Sequence, residues 1–144
     1  MIQIYSGLWV VGEDLDPDAI VSALGGLQPH AARRLGDLKP NGRPFPQGHV
    51  WFTTANSIRT TIEESLDDLF AKLDPVWPAL TELSLVYSVS IECYVKLYDR
   101  APAEEPYLGF EARHVHRAAQ LQSELGIDLQ DYRGTGVEPD RPTK

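Results

Sequence analysis

The sequence predicts an α+β fold: a two-layer sandwich in which about three helices pack on one face of a mainly antiparallel sheet. Two observations support this prediction. Residues 85–98 place apolar side chains at odd positions and mostly polar ones at even positions, which is the pattern of a long strand with one wet face. Residues 60–73 place apolar side chains at helical spacing, on one face only. Elements of both kinds bury their apolar faces against each other when helices cover a sheet.

Length and composition indicate a single domain over residues 1–132 and a mobile polar tail over residues 133–144. The 144 residues match the usual size of one domain, and a hydrophobic content of 42% is ordinary for a globular chain. A chain of this length buries enough surface to fold without a disulfide or a metal. The tail contains two prolines and has no apolar periodicity, so we expect it to be mobile.

The first half of the chain predicts a strand, a helix, a long loop and a second strand. An apolar run indicates the strand at 2–12. Asp16-Pro17 begins the helix, because Asp caps the free amides and proline suits the first turn. Gly25-Gly26 ends it, because glycine accepts a left-handed conformation. Prolines and glycines keep residues 28–48 irregular, and a strand follows at 49–54.

The second half predicts a helix at 60–73, a short helix at 74–83, the long strand at 85–98, a helix at 111–125 and a strand from 127 to about 132. Thr60 or Thr61, each followed three residues later by Glu, provides a capping box for the first of these helices. The residues of the long strand that we expect to face the helices are Leu85, Tyr87, Val89, Ile91, Cys93, Val95 and Leu97, with Ser88, Ser90 and Glu92 exposed.

The net charge and its distribution along the chain indicate which class of partner the chain could bind. The net charge is −8, and residues 60–99 carry eight acidic residues against two lysines. Phosphate contacts need clustered Lys and Arg, so we expect no general nucleic-acid binding. The field of an acidic chain suits a basic protein partner instead. The sequence shows no basic and apolar leader and no apolar stretch of ~20 residues, so we expect no membrane insertion and a cytoplasmic location.

No group of residues in the sequence has the pattern of a catalytic, cofactor or metal site. There is no nucleophile elbow and no phosphate-binding glycine loop, and Cys93 falls on the inward face of a strand, where a thiol is inert. The acidic residues of 14–18 fit a helix cap better than a calcium loop. His114 and His116 would point to opposite sides of a helix, which favours surface histidines over a metal site. We therefore lean against an enzyme, without excluding one.

Two surfaces are candidates for binding, and the first is the acidic face of the helix at 60–73. An acidic helix face steers a basic partner, although most such faces are simply solvated. The leading hypothesis is a non-catalytic protein-interaction module that binds its partner through this face. Its partner-binding residues would be Glu63, Glu64, Asp67 and Asp68.

The second candidate surface is the basic, proline-rich loop at 28–48. Guanidinium groups bind phosphate and carboxylate in a bidentate manner, so Arg33, Arg34 and Arg43 could clamp an anion. A solvated connection is the ordinary role of such a loop. The alternative hypothesis is thus a sensor of a small anionic ligand, or an undescribed enzyme, with its site under this loop.

Short structural elements over roughly residues 4–132 resemble a known family. They are Leu15-Asp16-Pro17 at a helix start, Leu24-Gly25 at its end, Pro29 and Gly36-Asp37 in the loop, Trp51 on the next strand and Leu125-Gly126-Ile127-Asp128 near the end. This pattern is similar to that of the small bacterial proteins of domain-of-unknown-function family 4279. The resemblance implies no activity or catalytic residue. It does imply an immunity role in which the chain neutralises a toxin by binding, because members are similar to proteins found beside polymorphic toxins. The segment 130–132 is less apolar than expected of the family, which leaves the pairing of the last strand open.

Overall fold

A computed structural model of the chain describes residues 1–99 and 107–139. Its elements in chain order are β1 (Ile2–Gly12), α1 (Pro17–Ala23), β2 (Ala31–Arg33), β3 (Gly48–Thr53), α2 (Ile62–Leu73), a 3₁₀ turn (Asp74–Val76), α3 (Trp77–Leu83), β4 (Ser88–Leu97), α4 (Ala112–Gln120) and β5 (Glu124–Asp131). This is the α+β architecture that the sequence predicts.

The five strands form one open sheet in the order β2-β3-β1-β4-β5. The first three contacts in that order are antiparallel, and β5 runs parallel to β4 with Ile91 opposite Leu125. A parallel neighbour requires a crossover connection, and α4 lies within the connection between β4 and β5. The pairing that the sequence leaves open for the last strand is therefore parallel.

The helices cover one face of the sheet and bury a continuous core there. Leu8 on β1, Phe52 on β3 and Ile91 on β4 are fully buried and lie side by side in the register, so their side chains share a face. The helices α1 to α4 of the described residues all contribute to this core, among others through Leu66 of α2 and Leu80 of α3. The two-layer arrangement with a mainly antiparallel sheet is confirmed.

The predicted strand at 85–98 is shorter than its alternation indicates. The odd positions from Val89 to Leu97 are buried as expected, but Leu85 is 72% exposed, and the prediction that it faces the helices is wrong. The reason is local: residues 84–87 turn back on the end of α3, and the amide of Leu85 donates to the carbonyl of Glu82 at 3.1 Å. Tyr87 is half-buried, with its ring over Gly12.

One helix end and one short strand differ from the sequence prediction, each for a local reason. The helix predicted to reach 125 ends at Gln120, because Gln122 adopts a left-handed backbone with φ 50° and reverses the chain. Residues 31–33, predicted as loop, form β2 through backbone pairing of Ala31 with Trp51. Three residues are too few to show a periodic pattern. Beyond β2, the amide of Lys39 donates to the carbonyl of Arg43 at 2.8 Å, so this segment folds back on itself.

The caps that the sequence predicts are present at α1 and α2. The Asp16 carboxylate accepts from the amide of Asp18 at 3.1 Å, with Pro17 in the first turn. Of the two capping boxes, the second is correct, because Thr61 accepts from the amide of Glu64 at 3.2 Å.

After β5, the amide of Gly134 donates to Asp99. Residues 140–144 of the predicted tail lie outside the described residues, and the mobility of the tail stays a prediction.

Candidate functional site

The sheet face opposite the helices carries a cluster of aromatic side chains, which we call the aromatic face. Leu8 and Val10 point into the core, so Trp9 between them points to the other side. The same alternation places the remaining members of the cluster on that side. The aromatic face comprises Tyr5 and Trp9 of β1, His49 and Trp51 of β3, and Tyr94 of β4.

Two tryptophans form the centre of the aromatic face. Trp9 and Trp51 are directly opposite in the register, and their rings stack 4.9 Å apart at an interplanar angle of 11°. Nε1 of Trp9 donates to the hydroxyl of Tyr94 at 2.8 Å. Gly7 makes this packing fit, because a Cβ at that position would collide with Nε1 of Trp51. Stacking and the hydrogen bond from Trp9 to Tyr94 thus hold the rings in fixed positions. The absence of a side chain at Gly7 leaves the space that Trp51 occupies.

The aromatic contacts continue from this centre to the loop beyond β2. His49 packs edge-on against Trp9 at 5.1 Å, and Phe45 packs edge-on against His49 at 5.2 Å. Burial, with a smaller effect of the nearby Arg33, lowers the pKa of His49 below its ordinary value of 6.5. His49 is therefore neutral at pH 7 and acts here as an aromatic ring, not as a cation.

The other side of the aromatic face is acidic. Burial raises the pKa of Tyr94 to about 12, and the negative charges of Glu92 and Asp128 add to this rise. Asp128 of β5 is the register neighbour of Tyr94, and Glu124 stands beside Ser90 in the same way. Glu92, Asp128 and Glu124, which we call the acidic rim, therefore extend the aromatic face over β4 and β5.

Of the acidic helix face predicted as a binding surface, two carboxylates are bound by one arginine of α4. Nη1 of Arg113 lies 2.6 Å from Asp67, and Nη2 lies 2.9 Å from Glu63. Hydrogen bonding to Arg113, more than the contact with His114, lowers the pKa of Asp67. Arg113 is distant in sequence from both acids, so periodicity along α2 gives no indication of these ion pairs.

The other two carboxylates of that face also have partners within the chain. Asp68 forms a bidentate pair with Arg59, at 2.7 Å to Nε and 3.1 Å to Nη2. Glu64 accepts from the hydroxyl of Thr61 at 2.9 Å and so belongs to the helix cap. The structure does bring all four acids to the solvent side of α2, but it neutralises much of their charge. Their role in binding stays a prediction.

His114 is 2% exposed, so the expectation of a surface histidine is wrong for this residue. Because α4 packs along α2, Nε2 of His114 lies 2.9 Å from Asp67 and its ring stacks on Phe70 at 5.8 Å. His116, two residues further, is exposed, as the opposite sides of a helix require. Within residues 1–99 and 107–139, no three His, Cys, Asp or Glu side chains are grouped to hold a metal ion.

The three arginines predicted to clamp an anion lie in different environments. Arg34 binds the carboxylates of Asp16 and Asp18 at the start of α1, at 2.7 Å each. Arg33 is the register partner of His49 and donates to a neighbouring backbone carbonyl. Arg43 is exposed in the folded-back loop segment. Since Arg34 already pairs with two acids of its own chain, an anion that bound it would have to displace them.

Cys93 has no nucleophilic character in this structure. It is fully buried on the helix side of β4, and burial raises the pKa of its thiol to about 12. It is therefore protonated at neutral pH and packs as a small apolar side chain.

Taken as a class, the chain is a single-sheet α+β protein with helices on one face and an aromatic, acidic surface on the other. It belongs to the family described as a domain of unknown function, DUF4279, whose pattern matches residues 2–132. No curated protein and no solved structure matches it significantly. In the part of the chain that the structure describes, none of the helices has the length and apolarity that crossing a bilayer demands.

Proposed function

We propose that the chain is a non-catalytic protein-binding module whose aromatic face, together with the acidic rim, binds a basic segment of a partner protein. The observation that carries this proposal is the stacked pair of Trp9 and Trp51, which Tyr94 joins to the strands of the acidic rim through its hydrogen bond to Trp9 and its pairing with Asp128. One edge of this surface offers apolar area and the other offers negative charge. A lysine- or arginine-rich segment satisfies both.

Aromatic rings supply the larger part of the binding energy in this proposal. Trp and Tyr dominate the energetics of protein interfaces because each buries a large area with few rotatable bonds. The Trp9 ring is already fixed by its stack on Trp51 and by its bond to Tyr94, so little side-chain entropy is lost when a partner docks. A preformed aromatic surface of this kind favours binding over catalysis.

Charge complementarity selects the kind of partner. A cation above an aromatic ring is stabilised by the ring's negative face, and Lys96 of this chain already lies 5.5 Å above Tyr5. Glu92, Asp128 and Glu124 add carboxylates within reach of such a cation, and the net charge of −8 steers basic partners toward the chain. The acidic face of α2 contributes to the same long-range field, although its carboxylates are paired.

A peptide-binding experiment tests the proposal. Peptides rich in Lys and Arg should quench or shift tryptophan fluorescence with saturation, and acidic peptides of matched length should not. The double variant Glu92→Gln with Asp128→Asn should slow association several-fold and flatten its dependence on salt. The matched control is Glu63→Gln with Glu64→Gln on α2, which removes two charges from the long-range field only and should slow association clearly less. Equal losses in both variants, or binding of acidic peptides, would contradict this assignment of the surface.

An immunity role is the more specific form of this proposal, in a bacterial cytoplasm where the partner would be a basic toxin. It is supported by the resemblance of the family to small proteins found beside toxins and by the charge of the chain. Co-expression with the product of a neighbouring toxin-like gene tests it. Rescue of growth that is lost in Trp9→Ala supports the immunity role; rescue that is unchanged in this variant assigns the role to another surface.

A further inference from the structure

A second, smaller site lies where the long segment after α1 meets the end of β3 and the last turn of α2. A cavity of about 270 Å³ opens there, which we call the Lys72 cavity. Its wall is rich in groups that donate hydrogen bonds. The polar side chains that line it are Gln28, His30, Thr53, Asn56 and Lys72.

Lys72 differs from Arg59 and Arg113 because it has no acidic partner within 4 Å among the described residues. Its ammonium donates to the carbonyl of Thr53 at 2.9 Å, and within the described residues it forms no ion pair with a carboxylate. By contrast, Arg59 and Arg113 each bind acidic side chains. Burial alone accounts for the lowered pKa of Lys72. A half-buried cation without a counter-charge is a favourable place for an anion.

We propose that the Lys72 cavity binds a small oxyanion, a phosphate or a carboxylate, with Lys72 as its cationic anchor and His30 and Asn56 as further hydrogen-bonding groups. An ammonium has three donors, and Thr53 engages one of them. The cavity holds several times the volume of a water molecule, about 30 Å³ in the liquid, so an oxyanion fits with part of its hydration shell. The charge that binds the anion therefore comes from α2, not from the loop arginines.

This inference concerns a different surface from the one proposed for the protein partner, but the two sites touch. The ring of His30 packs edge-on against Trp51 at 4.7 Å, and the amide of His30 donates to the carbonyl of Trp51 at 2.7 Å. An anion beside His30 therefore changes the surroundings of Trp51. Tryptophan fluorescence reports binding in this cavity without any labelling of the chain.

The test is a titration of the full chain with inorganic phosphate and, separately, with citrate, each compared with sodium chloride at equal ionic strength. Thermal unfolding and tryptophan fluorescence are both followed. At least one of the two oxyanions should raise the Tm and change the fluorescence with saturation, while chloride should not. A response that is linear, or equal with chloride, would overturn the proposal.

Variants assign the response to the cavity. Lys72→Met should weaken binding about tenfold or more, as the loss of a charged hydrogen bond does, and Lys72→Arg should retain part of it. The matched control is Lys39→Met in the folded-back loop segment, which should bind as the wild type does. Circular dichroism verifies that each variant is folded, and Lys72→Gln replaces Lys72→Met if that variant is not. Undiminished binding in a folded Lys72 variant that lacks the charge would refute the assignment.

Discussion

Gly7 determines how the largest side chains of the aromatic face pack. It lies on β1, between the strands that carry Trp51 and Tyr94, and the indole of Trp51 occupies the space above it. Nε1 of Trp51 is buried and reaches no acceptor among the residues that the structure describes, so packing alone holds this ring. Any side chain at position 7 would displace the Trp51 indole from the sheet. The planar surface of the aromatic face therefore depends on one residue that has no side chain of its own.

We expect Gly7→Ala to destabilise the fold and to disturb the aromatic face together. The added Cβ would collide with Trp51 and crowd the backbone carbonyl of Phe52, and overpacking of this kind costs about 1–3 kcal/mol. Denaturant unfolding measures the loss, and near-ultraviolet circular dichroism shows the displaced indoles. The control is Gly126→Ala on β5, where a Cβ would meet nothing closer than 3.6 Å. Equal stabilities of the two variants would contradict this account of Gly7.

The contact between α2 and α4 is mostly polar, and it pairs carboxylates of α2 with cationic side chains of α4. Arg113 and His114 of α4 bind Asp67 of α2, and the guanidinium of Arg117 lies 5.1 Å from the centre of the Phe70 ring. Together with the Arg59–Asp68 pair, these contacts bind three of the four carboxylates of α2 to cations of the same chain. Among the described residues, the carboxylates of the acidic rim form no ion pair, so the open side of the sheet, and not the helix layer, offers acidic groups without a bound cation.

The pairing of α2 with α4 should make stability depend on acid. Arg113 lowers the pKa of Asp67 in the folded chain, so the contribution of Asp67 is fully present above the ordinary value of 3.8 and is lost as the pH falls through the lower folded value. We expect the wild type to lose stability below about pH 4 more steeply than Asp67→Asn does. Denaturant midpoints between pH 2 and pH 7 measure this loss of stability. The control is Glu13→Gln, which removes an exposed carboxylate. Parallel curves for Asp67→Asn and the wild type would contradict the role of this ion pair.

At the level of the fold, the two proposed sites meet at Trp51. One side of this residue belongs to the aromatic stack and another contacts His30 at the Lys72 cavity. The basic partner and the small anion would then both bind next to this one side chain. Because both ligands would bind against the packing of the same ring, we expect the two occupancies to be coupled.

Local signals in the sequence predict the parts of this fold that are determined locally. The start of α1 at Asp16-Pro17 and the cap at Thr61 depend only on the residues that follow them, and both are correct. The prediction for Leu85 is wrong because the turn before β4 continues the alternation of that strand in the sequence. The aromatic face has no local signal in the sequence. Trp9 and Tyr94 are 85 residues apart, and only the strand order brings them together.

The end of the folded unit gives the last prediction. Tyr132 is tied to the sheet, because its amide donates to the carbonyl of Leu97 at 2.8 Å and its ring stacks on Tyr98 at 5.4 Å. The residues after it are exposed up to position 138, with the amide of Gly134 bonded to Asp99. A chain cut after residue 132 should therefore fold with a stability within about 1 kcal/mol of the full chain.

The matched control is a chain cut after residue 130, which removes Asp131 and Tyr132 as well. Because this cut deletes the last backbone bond between the end of β5 and β4, together with the stack on Tyr98, we expect it to lose clearly more stability. Urea unfolding of the three chains measures the difference. If the cut after 132 is as damaging as the cut after 130, then the segment after Tyr132 belongs to the folded domain and is not a tail.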